Sequence, residues 1–223
     1  MEEEALPVGD EGAREAADIA PEVADMPPEA DDQAPDSVEG APGRIERPRG
    51  YRVALVLHLA SLAAALVVLL VINRHMWFRG DDFDFLSQRG LHGATYSLWY
   101  PHNVHWSTVP ILIWRGLFYF AGLRTAVPYL LVLYLANLLL AHLVWRVMLS
   151  SGAGPFVATG GCCMLLLFGP GAENLIWAFQ IGFVLSLVGG FAMTALGDGS
   201  PSLRRLVPAG LLGVPMMMTS AIA

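Results

Sequence analysis

The stretch VALVLHLASLAAALVVLLVIN, residues 53–73, decides the fold, and GDDFD, residues 80–84, follows it after six residues. A run of about 20 apolar residues is long enough to cross the bilayer core as a helix. Charge is expensive in hydrocarbon, so three carboxylates just beyond such a helix belong either to a solvated loop or to a functional site. Past residue 50 the only other acids are Glu173 and Asp198.

Similar apolar runs continue along the chain, which is 55% hydrophobic and 15% charged. We predict an all-α fold, a polytopic transmembrane helix bundle of about five spans plus one interfacial helix in the first external loop. The predicted spans cover residues 53–73, 126–147, 153–170, 175–197 and 206–223. We expect no nucleic-acid partner and no nucleotide, since the chain has no G-x-G-x-x-G or P-loop pattern.

Residues 1–50 differ from the rest of the chain in charge, with fifteen acids and four arginines. This composition buries too little apolar surface to offset chain entropy, so we predict a disordered acidic tail. Arginines beside the first span hold that flank, and the tail, in the cytoplasm. These are Arg44, Arg47, Arg49 and Arg52. The transmembrane domain, 51–223, is expected to carry a large external loop at 73–125.

The stretch TVPILIWRGLFYFAG, residues 108–122, has two interpretations, because it is short for a span and contains Arg115. If it crosses the membrane, the arginine pair at 204–205 falls outside. If it lies along the outer interface, as its aromatic residues favour, that pair falls in the cytoplasm, in better agreement with the positive-inside tendency. In this second topology, which we prefer, residues 80–84 and Glu173 share the external side.

The carboxylate cluster at 80–84 allows three interpretations. A carboxylate just above the membrane, among aromatic side chains, is partly desolvated, which raises its pKa and suits a general base. Asp82 and Asp84 share a face of an extended segment and can hold a divalent cation through oxygen ligands. The third interpretation is a helix start capped by aspartate after Gly80, with the acids in water.

Other polar residues of the same layer are candidates for substrate contact. The spacing of His102 and His105 can put two imidazoles on one helical face, which metals accept, but contact with a polar substrate is favoured because no third ligand follows. Glu173 stands alone at a break between apolar runs ahead of Gln180, either as a functional acid or as a helix N-terminal charge. The guanidinium of Arg79 has the geometry to bind a phosphate group, including the phosphate of an ordinary lipid headgroup.

Two motifs resemble a known family. GDDFDF at 80–85 and PHNVHWSTVPILIWRGLFYFAGL at 101–123 are similar to the first external loop and loop helix of the GT-C superfamily of membrane glycosyltransferases. The nearer groups are the protein O-mannosyltransferases, the aminoarabinose-transferase-like proteins and their actinobacterial relatives. The family's His-Pro-Pro-Leu element is replaced here by HWSTVP at 105–110. The last run, MMMTSAIA at 216–223, lacks a polar flank, and we expect an N-terminal fragment of a longer enzyme.

The resemblance implies a polyprenyl-phosphate sugar donor, with membrane lipids as further partners and an acceptor on the outer face. By analogy, Asp81 or Asp82 deprotonates the acceptor hydroxyl, and the lipid phosphate leaves with inversion at the sugar. The substrate-binding residues are then expected to be Asp84, Arg79, His102, His105, Glu173 and Gln180. No cofactor is certain, although some members use a divalent metal ion. The expected location is the plasma membrane, as a multi-pass protein.

Two non-enzymatic alternatives stay open at this point. A transporter places its acids at the bilayer midplane on broken helices, whereas the acids here cluster at one surface. An inert membrane scaffold would tolerate the loss of each carboxylate. The sequence leaves the sugar, the acceptor, the metal dependence and the oligomeric state undetermined.

Overall fold

The computed structural model describes residues 49–87, 89–90, 96–167, 169–197 and 202–222. The acidic tail predicted at 1–50 lies almost wholly outside these residues, and Asp198 lies outside them too. The prediction of a disordered cytoplasmic tail therefore stays a prediction.

The described residues are mostly helical. In chain order the helices are α1 Tyr51–Ile72, α2 Asp81–Ser87, α3 Thr108–Ala121, α4 Val127–Ser150, α5 Pro155–Leu166, α6 Glu173–Ile176, α7 Ile181–Gly197 and α8 Leu203–Ser220. Short 3-10 turns cover Gly169–Gly171 and Ala178–Gln180, and the two-residue strands are β1 Arg89–Gly90, β2 Tyr96–Ser97, β3 His105–Trp106 and β4 Ala221–Ile222. The predicted all-α class is confirmed in this coarse form.

Three helical segments are long and apolar enough to cross a membrane: α1 with 22 residues, α4 with 24, and Ala178–Gly197 with 20. These three helices fit the predicted membrane protein, but the number of five spans is not confirmed. Helix α5 has only 12 residues, because Gly-Pro-Gly follows at 169–171 and proline cannot extend a helix. Helix α8 contains two prolines and the arginine pair at 204–205, which make it less apolar.

Helix α4 lies at the centre of the bundle and packs against α1, α5 and α7. It runs antiparallel to α1, so that Trp145 near its end contacts Tyr51 at the start of α1, with ring centroids 5.8 Å apart. Tyr129, Leu133 and Tyr134 of α4 are fully buried. In lipid, close packing and interhelical hydrogen bonds hold helices together, because lipid tails are as apolar as the side chains.

Hydrogen bonds join α1, α4 and α5 inside the bundle. The indole N–H of Trp145 donates to the Thr159 hydroxyl at 3.1 Å, and the hydroxyl proton is shared between the carbonyl oxygens of Pro155 at 2.9 Å and of Ala54 at 3.3 Å. One turn away, His58 Nε2 lies 3.3 Å from His142 Nδ1. We call Trp145, Thr159 and Ala54 the bundle network, since it links three helices.

Helices α3, α7 and α8 meet at a glycine. A methyl group at Gly182 would lie 2.6 Å from the carbonyl oxygen of Thr219 and 3.2 Å from Pro110 Cγ. The first distance is shorter than any real contact of a Cβ atom, so a side chain does not fit here without a shift of the main chain. This glycine therefore allows the end of α8 to approach the start of α7.

The predicted external loop, 73–125, contains α2, α3 and the first three strands. Strand β1 pairs in parallel with β2, and β3 pairs antiparallel with β4, which follows α8. Helix α3 corresponds to the predicted interfacial stretch and, with 14 residues, is short for a span. The Arg115 guanidinium donates to the carbonyl oxygen of Arg89. Within the loop, β1 is thus held against α3, and β3 is held against the strand that follows α8.

Candidate functional site

A cavity of about 270 Å³ lies where this loop meets α7 and α8. Four residues predicted for the site line it, namely Asp81, His102, His105 and Gln180, and we call it the carboxylate cavity. The rest of its lining includes Phe85, Trp177, Phe179, Gly182, Phe183, Thr219 and Ser220. Its volume is near the lower end of small-molecule sites, about 300 Å³.

The first two residues of α2 have different surroundings. Asp81 is half-buried and lines the carboxylate cavity. Asp82 is 2% exposed, and its Oδ2 accepts a hydrogen bond from the main-chain N–H of Arg79 at 2.9 Å. This bond caps the helix start beside Gly80, whose φ of 51° lies in the left-handed region that favours glycine. The capping interpretation therefore applies to Asp82, although this residue is buried and not in water.

Burial raises the pKa of Asp82 to about 6. Hydrogen bonds from the N–H groups of Arg79, Trp177 and Phe179, together with the positive charge of Arg79, lower this pKa by less than burial raises it. The Asp82 Oδ1 has no hydrogen-bond partner of standard geometry in the described part of the chain. The predicted rise of a carboxylate pKa is thus found at Asp82. A base that acts near neutral pH needs such a pKa, but the carboxylate that lines the cavity belongs to Asp81.

His102 is 6% exposed and packs edge-on against Phe85 and Phe179. Its Nδ1 lies 3.3 Å from a guanidinium nitrogen of Arg89, and its Nε2 lies 3.8 Å from Oδ2 of Asp81. Burial lowers the pKa of His102; the Asp81 carboxylate opposes this shift, and Arg89 adds to it. The imidazole is therefore neutral at physiological pH.

The segment from His102 to His105 is a tight turn and not a helix, so the helical arrangement that the spacing allows for the two imidazoles is not formed. The two residues form an antiparallel bridge with main-chain hydrogen bonds of 2.8 and 2.9 Å. Asn103 has a φ of 53°, which asparagine tolerates better than most residues. His105 Nδ1 lies 3.3 Å from the Ser220 carbonyl oxygen. The imidazoles thus face different partners, although both line the carboxylate cavity.

Asp81, Asp84 and His102 each offer a ligand atom, and these atoms all lie within 4.8 Å of one another. The spacing alone suits a divalent cation. The surroundings of His102 do not suit a metal ion. The Arg89 guanidinium beside Nδ1 has only N–H donors, so Nδ1 accepts a hydrogen bond from it. A neutral imidazole that accepts at Nδ1 has its proton on Nε2, which then cannot bind a metal. Only the carboxylates of Asp81 and Asp84 then remain as ligands, and Asp84 is exposed. The residues present therefore do not fit a metal centre.

Three further predicted site residues, Asp84, Arg79 and Glu173, do not line the cavity. Arg79 is exposed, and its guanidinium lies over the Trp177 ring at 5.0 Å from the centroid. Glu173 is exposed at the first position of α6. The segment that Glu173 opens does reach the site, because Trp177 and Gln180 line the cavity. Gln180, and not Glu173 as predicted, therefore brings this segment to the cavity that Asp81 lines.

Arg89 is the residue of the site that sequence reasoning missed. It is 5% exposed, and its guanidinium donates to the carbonyl oxygens of Tyr100 and, at 3.1 Å, of Pro101. These bonds hold the loop that leads into His102. The sequence does not indicate this role for an arginine in a loop, because the groups that accept its hydrogen bonds are main-chain carbonyls, which every residue has.

A second cavity of about 220 Å³ adjoins the first, and Phe183 lines both. Apolar side chains provide most of its surface, among them Leu140, Leu165, Leu175, Val184 and Leu187. Asn137 of α4 adds a buried amide nitrogen that has no hydrogen-bond partner within the described ranges. A polar and an apolar cavity side by side suit an amphipathic ligand.

Comparison of the chain with protein-family models, with curated proteins and with solved structures found no match.

Proposed function

We propose that this chain is a GT-C-type membrane glycosyltransferase, which transfers a sugar from a polyprenyl-phosphate donor to an acceptor hydroxyl. The observation that carries the proposal is the carboxylate cavity, in which Asp81 faces His102 with 3.8 Å between Oδ2 and Nε2. The cavity adjoins a bundle with three helices of membrane-spanning length. A carboxylate and a neutral imidazole are groups that bind and activate a hydroxyl.

In the proposed reaction, the acceptor hydroxyl attacks the anomeric carbon and forms the new C–O bond. The bond between that carbon and the phosphate oxygen breaks, and the lipid phosphate leaves with the electron pair. Asp81 accepts the hydroxyl proton, and the single displacement inverts the configuration at the sugar. General-base assistance of this kind contributes about 10²–10⁴-fold to the rate, and positioning of the two reactants contributes further.

The surroundings of Asp81 support a donor that is both lipid and sugar. The second, apolar cavity meets the carboxylate cavity at Phe183 and offers room for part of a prenyl chain. Arg79 is exposed beside Trp177, where its guanidinium can pair with a phosphate. Polar side chains for sugar hydroxyls come from Asp84, His102, His105 and Gln180, with Glu173 at the entrance of the same segment.

We place the protein in the plasma membrane as a multi-pass protein, with its N-terminus in the cytoplasm and the carboxylate cavity on the external face. Support comes from the arginines that precede α1, since such residues stay on the cytoplasmic side. Helix α1 then leads from that flank to the loop that contains Asp81. Accessibility labelling of single cysteines at Ser87 and Ser202 tests this orientation, because only Ser87 should react from outside.

The transfer assay uses membranes that contain the chain and a panel of radiolabelled polyprenyl-phosphate monosaccharides. We expect Asp81→Asn to lower transfer by at least about 100-fold, because an amide cannot accept the proton. Asp198→Asn is the matched control, because the sequence GDGSP at 197–201 is typical of a solvated turn and lies on the cytoplasmic side in the preferred topology. Full transfer by Asp81→Asn at equal expression would contradict the proposal.

A further inference from the structure

The contact between Arg89 and His102 decides which nitrogen of His102 holds the proton. The Arg89 nitrogen lies 3.3 Å from Nδ1, and a guanidinium has only N–H donors. Nδ1 therefore accepts, and the proton of the neutral ring is on Nε2. Arg89 is itself held by the carbonyl oxygens of Tyr100 and Pro101, so the donor does not turn away.

The Nε2–H group of His102 has no hydrogen-bond partner in the described part of the chain. It belongs to a side chain that is 6% exposed and that lines the carboxylate cavity. A buried donor without a partner destabilises the fold, so such a group in a cavity indicates a ligand atom that completes the bond.

The distance to Asp81 defines that ligand atom. Nε2 and the Asp81 Oδ2 lie 3.8 Å apart, too far for a direct hydrogen bond. One oxygen about 2.8 Å from each would bridge the two atoms. It would accept from Nε2–H and donate to the carboxylate, and a hydroxyl group does both. A metal ion in this position would face an N–H group.

We propose that Arg89 fixes His102 as a hydrogen-bond donor, and that His102 and Asp81 together bind the hydroxyl group of an alcohol such as a carbohydrate, and not a divalent cation. Arg89 is then a positioning residue, because it acts through His102. The identification of this hydroxyl as the acceptor of sugar transfer rests on the proposed function. The hydroxyl site itself rests only on the geometry of the three side chains.

The tautomer can be read directly from nitrogen-15 spectra of histidine-labelled protein in lipid. Subtraction of the His102→Gln spectrum isolates the two His102 signals, and we expect a protonated Nε2 and an unprotonated Nδ1. Addition of Zn²⁺ should leave both signals unchanged. A protonated Nδ1, or a shift of the Nε2 signal with Zn²⁺, would overturn the proposal.

Two variants of His102 test the donor role in the transfer assay. The amide of glutamine places an N–H near the position of Nε2, whereas the amide of asparagine is too short to reach it. We expect His102→Gln to retain about tenfold more transfer than His102→Asn, in line with the loss of one hydrogen bond. Equal loss in both variants, at equal expression, counts against the donor role.

Binding of Mn²⁺, followed by loss of its free-ion signal in electron paramagnetic resonance, tests the metal alternative without any transfer assay. We expect the wild type and Asp84→Asn to take up equal, small amounts of Mn²⁺. Stoichiometric uptake that Asp84→Asn abolishes would overturn the proposal. An absence of sugar transfer would instead count against the proposed function, since the spectra and the Mn²⁺ binding do not depend on it.

Discussion

The indole N–H groups of Trp145 and Trp177 are both buried, but only that of Trp145 has a hydrogen-bond partner of standard geometry in the described residues. Trp145 belongs to the bundle network, where Thr159 receives its bond and passes the contact on to Ala54. Trp177 lines the carboxylate cavity beside Asp82, whose Oδ1 also lacks a partner. Two clusters of similar side chains thus differ in how fully they are satisfied.

This difference separates a structural cluster from a candidate binding site. Buried polar groups normally have partners, so unpartnered atoms that lie together mark a place where a ligand or water completes the bonds. Around the cavity these atoms belong to Asp82, His102 and Trp177. Unpartnered buried atoms elsewhere in the described residues belong to His58, Asn73, Tyr134 and Asn137. Substitutions in the bundle network should therefore change stability, and those at the cavity should change function.

The largest effect on stability is expected at Asp82, where substitution to asparagine should stabilise the fold at pH 7. The folded-state pKa of about 6 is above the ordinary aspartate value of 3.8, so burial of the ionised carboxylate opposes folding at pH 7. As the pH falls through 6, the folded state takes up the proton first and becomes more stable, until the unfolded carboxyl is protonated as well. A shift of this size corresponds to roughly 3 kcal/mol at most.

Unfolding of wild type and Asp82→Asn in detergent at pH 7 and pH 4 measures this effect. The advantage of the variant should be present at pH 7 and close to zero at pH 4. Asp84→Asn is the control, because Asp84 is exposed on the same helix. A variant that is less stable than wild type by the same amount at both pH values would show that the ionised form is not penalised.

A smaller loss of stability is expected for Thr159→Val in the bundle network. Valine has the shape of threonine but leaves the Trp145 N–H without its partner, at a cost of about 1–3 kcal/mol. Thr194→Val is the matched control, since the Thr194 hydroxyl is exposed and bonds only its own helix at Gly190. Thermal unfolding in detergent compares the two. Equal stability of both variants would mean that the network does not link the three helices energetically.

The smallest effect on stability is expected for Trp177→Phe. Phenylalanine keeps an aromatic ring near Arg79 and removes an N–H whose contact with the Asp82 carboxylate lacks standard hydrogen-bond geometry, so the free energy of unfolding should change by less than about 0.5 kcal/mol. Transfer activity should fall, because the Trp177 side chain lines the carboxylate cavity. Parallel measurement of unfolding and transfer checks both parts. A loss of stability comparable to that of Thr159→Val would remove the distinction between the two tryptophans.

The long apolar helices could be predicted from composition, and the breaks between them less well. The predicted spans at 53–73 and 126–147 match Tyr51–Ile72 and Val127–Ser150 within a few residues, because continuous apolar runs leave little choice. The span predicted at 153–170 stops at Leu166. The Gly-Pro-Gly motif that indicates the end of this helix is visible in the sequence, but a prediction from hydropathy alone does not take main-chain geometry into account.

The site was predictable as a set of segments and not as a set of contacts. Asp81 and His102 could be placed in one layer because both lie in the loop between two predicted spans, and Gln180 because it lies near the start of the span predicted at 175–197. Which of the two neighbouring aspartates faces the cavity depends on the hydrogen bond from Arg79 to Asp82, which the sequence does not encode locally. The role of Arg89 depends in the same way on how the loop before His102 folds around it.

The absence of a side chain at Gly182 limits how the cavity can be reshaped. At that point the wall is formed by main chain of α7 and α8 and by the ring of Pro110, none of which can swing aside through a rotamer change. Engineered changes of ligand size would have to begin at Phe183, whose side chain forms part of the boundary of both cavities. Specificity is thus adjustable on one side of the pocket and rigid on the other.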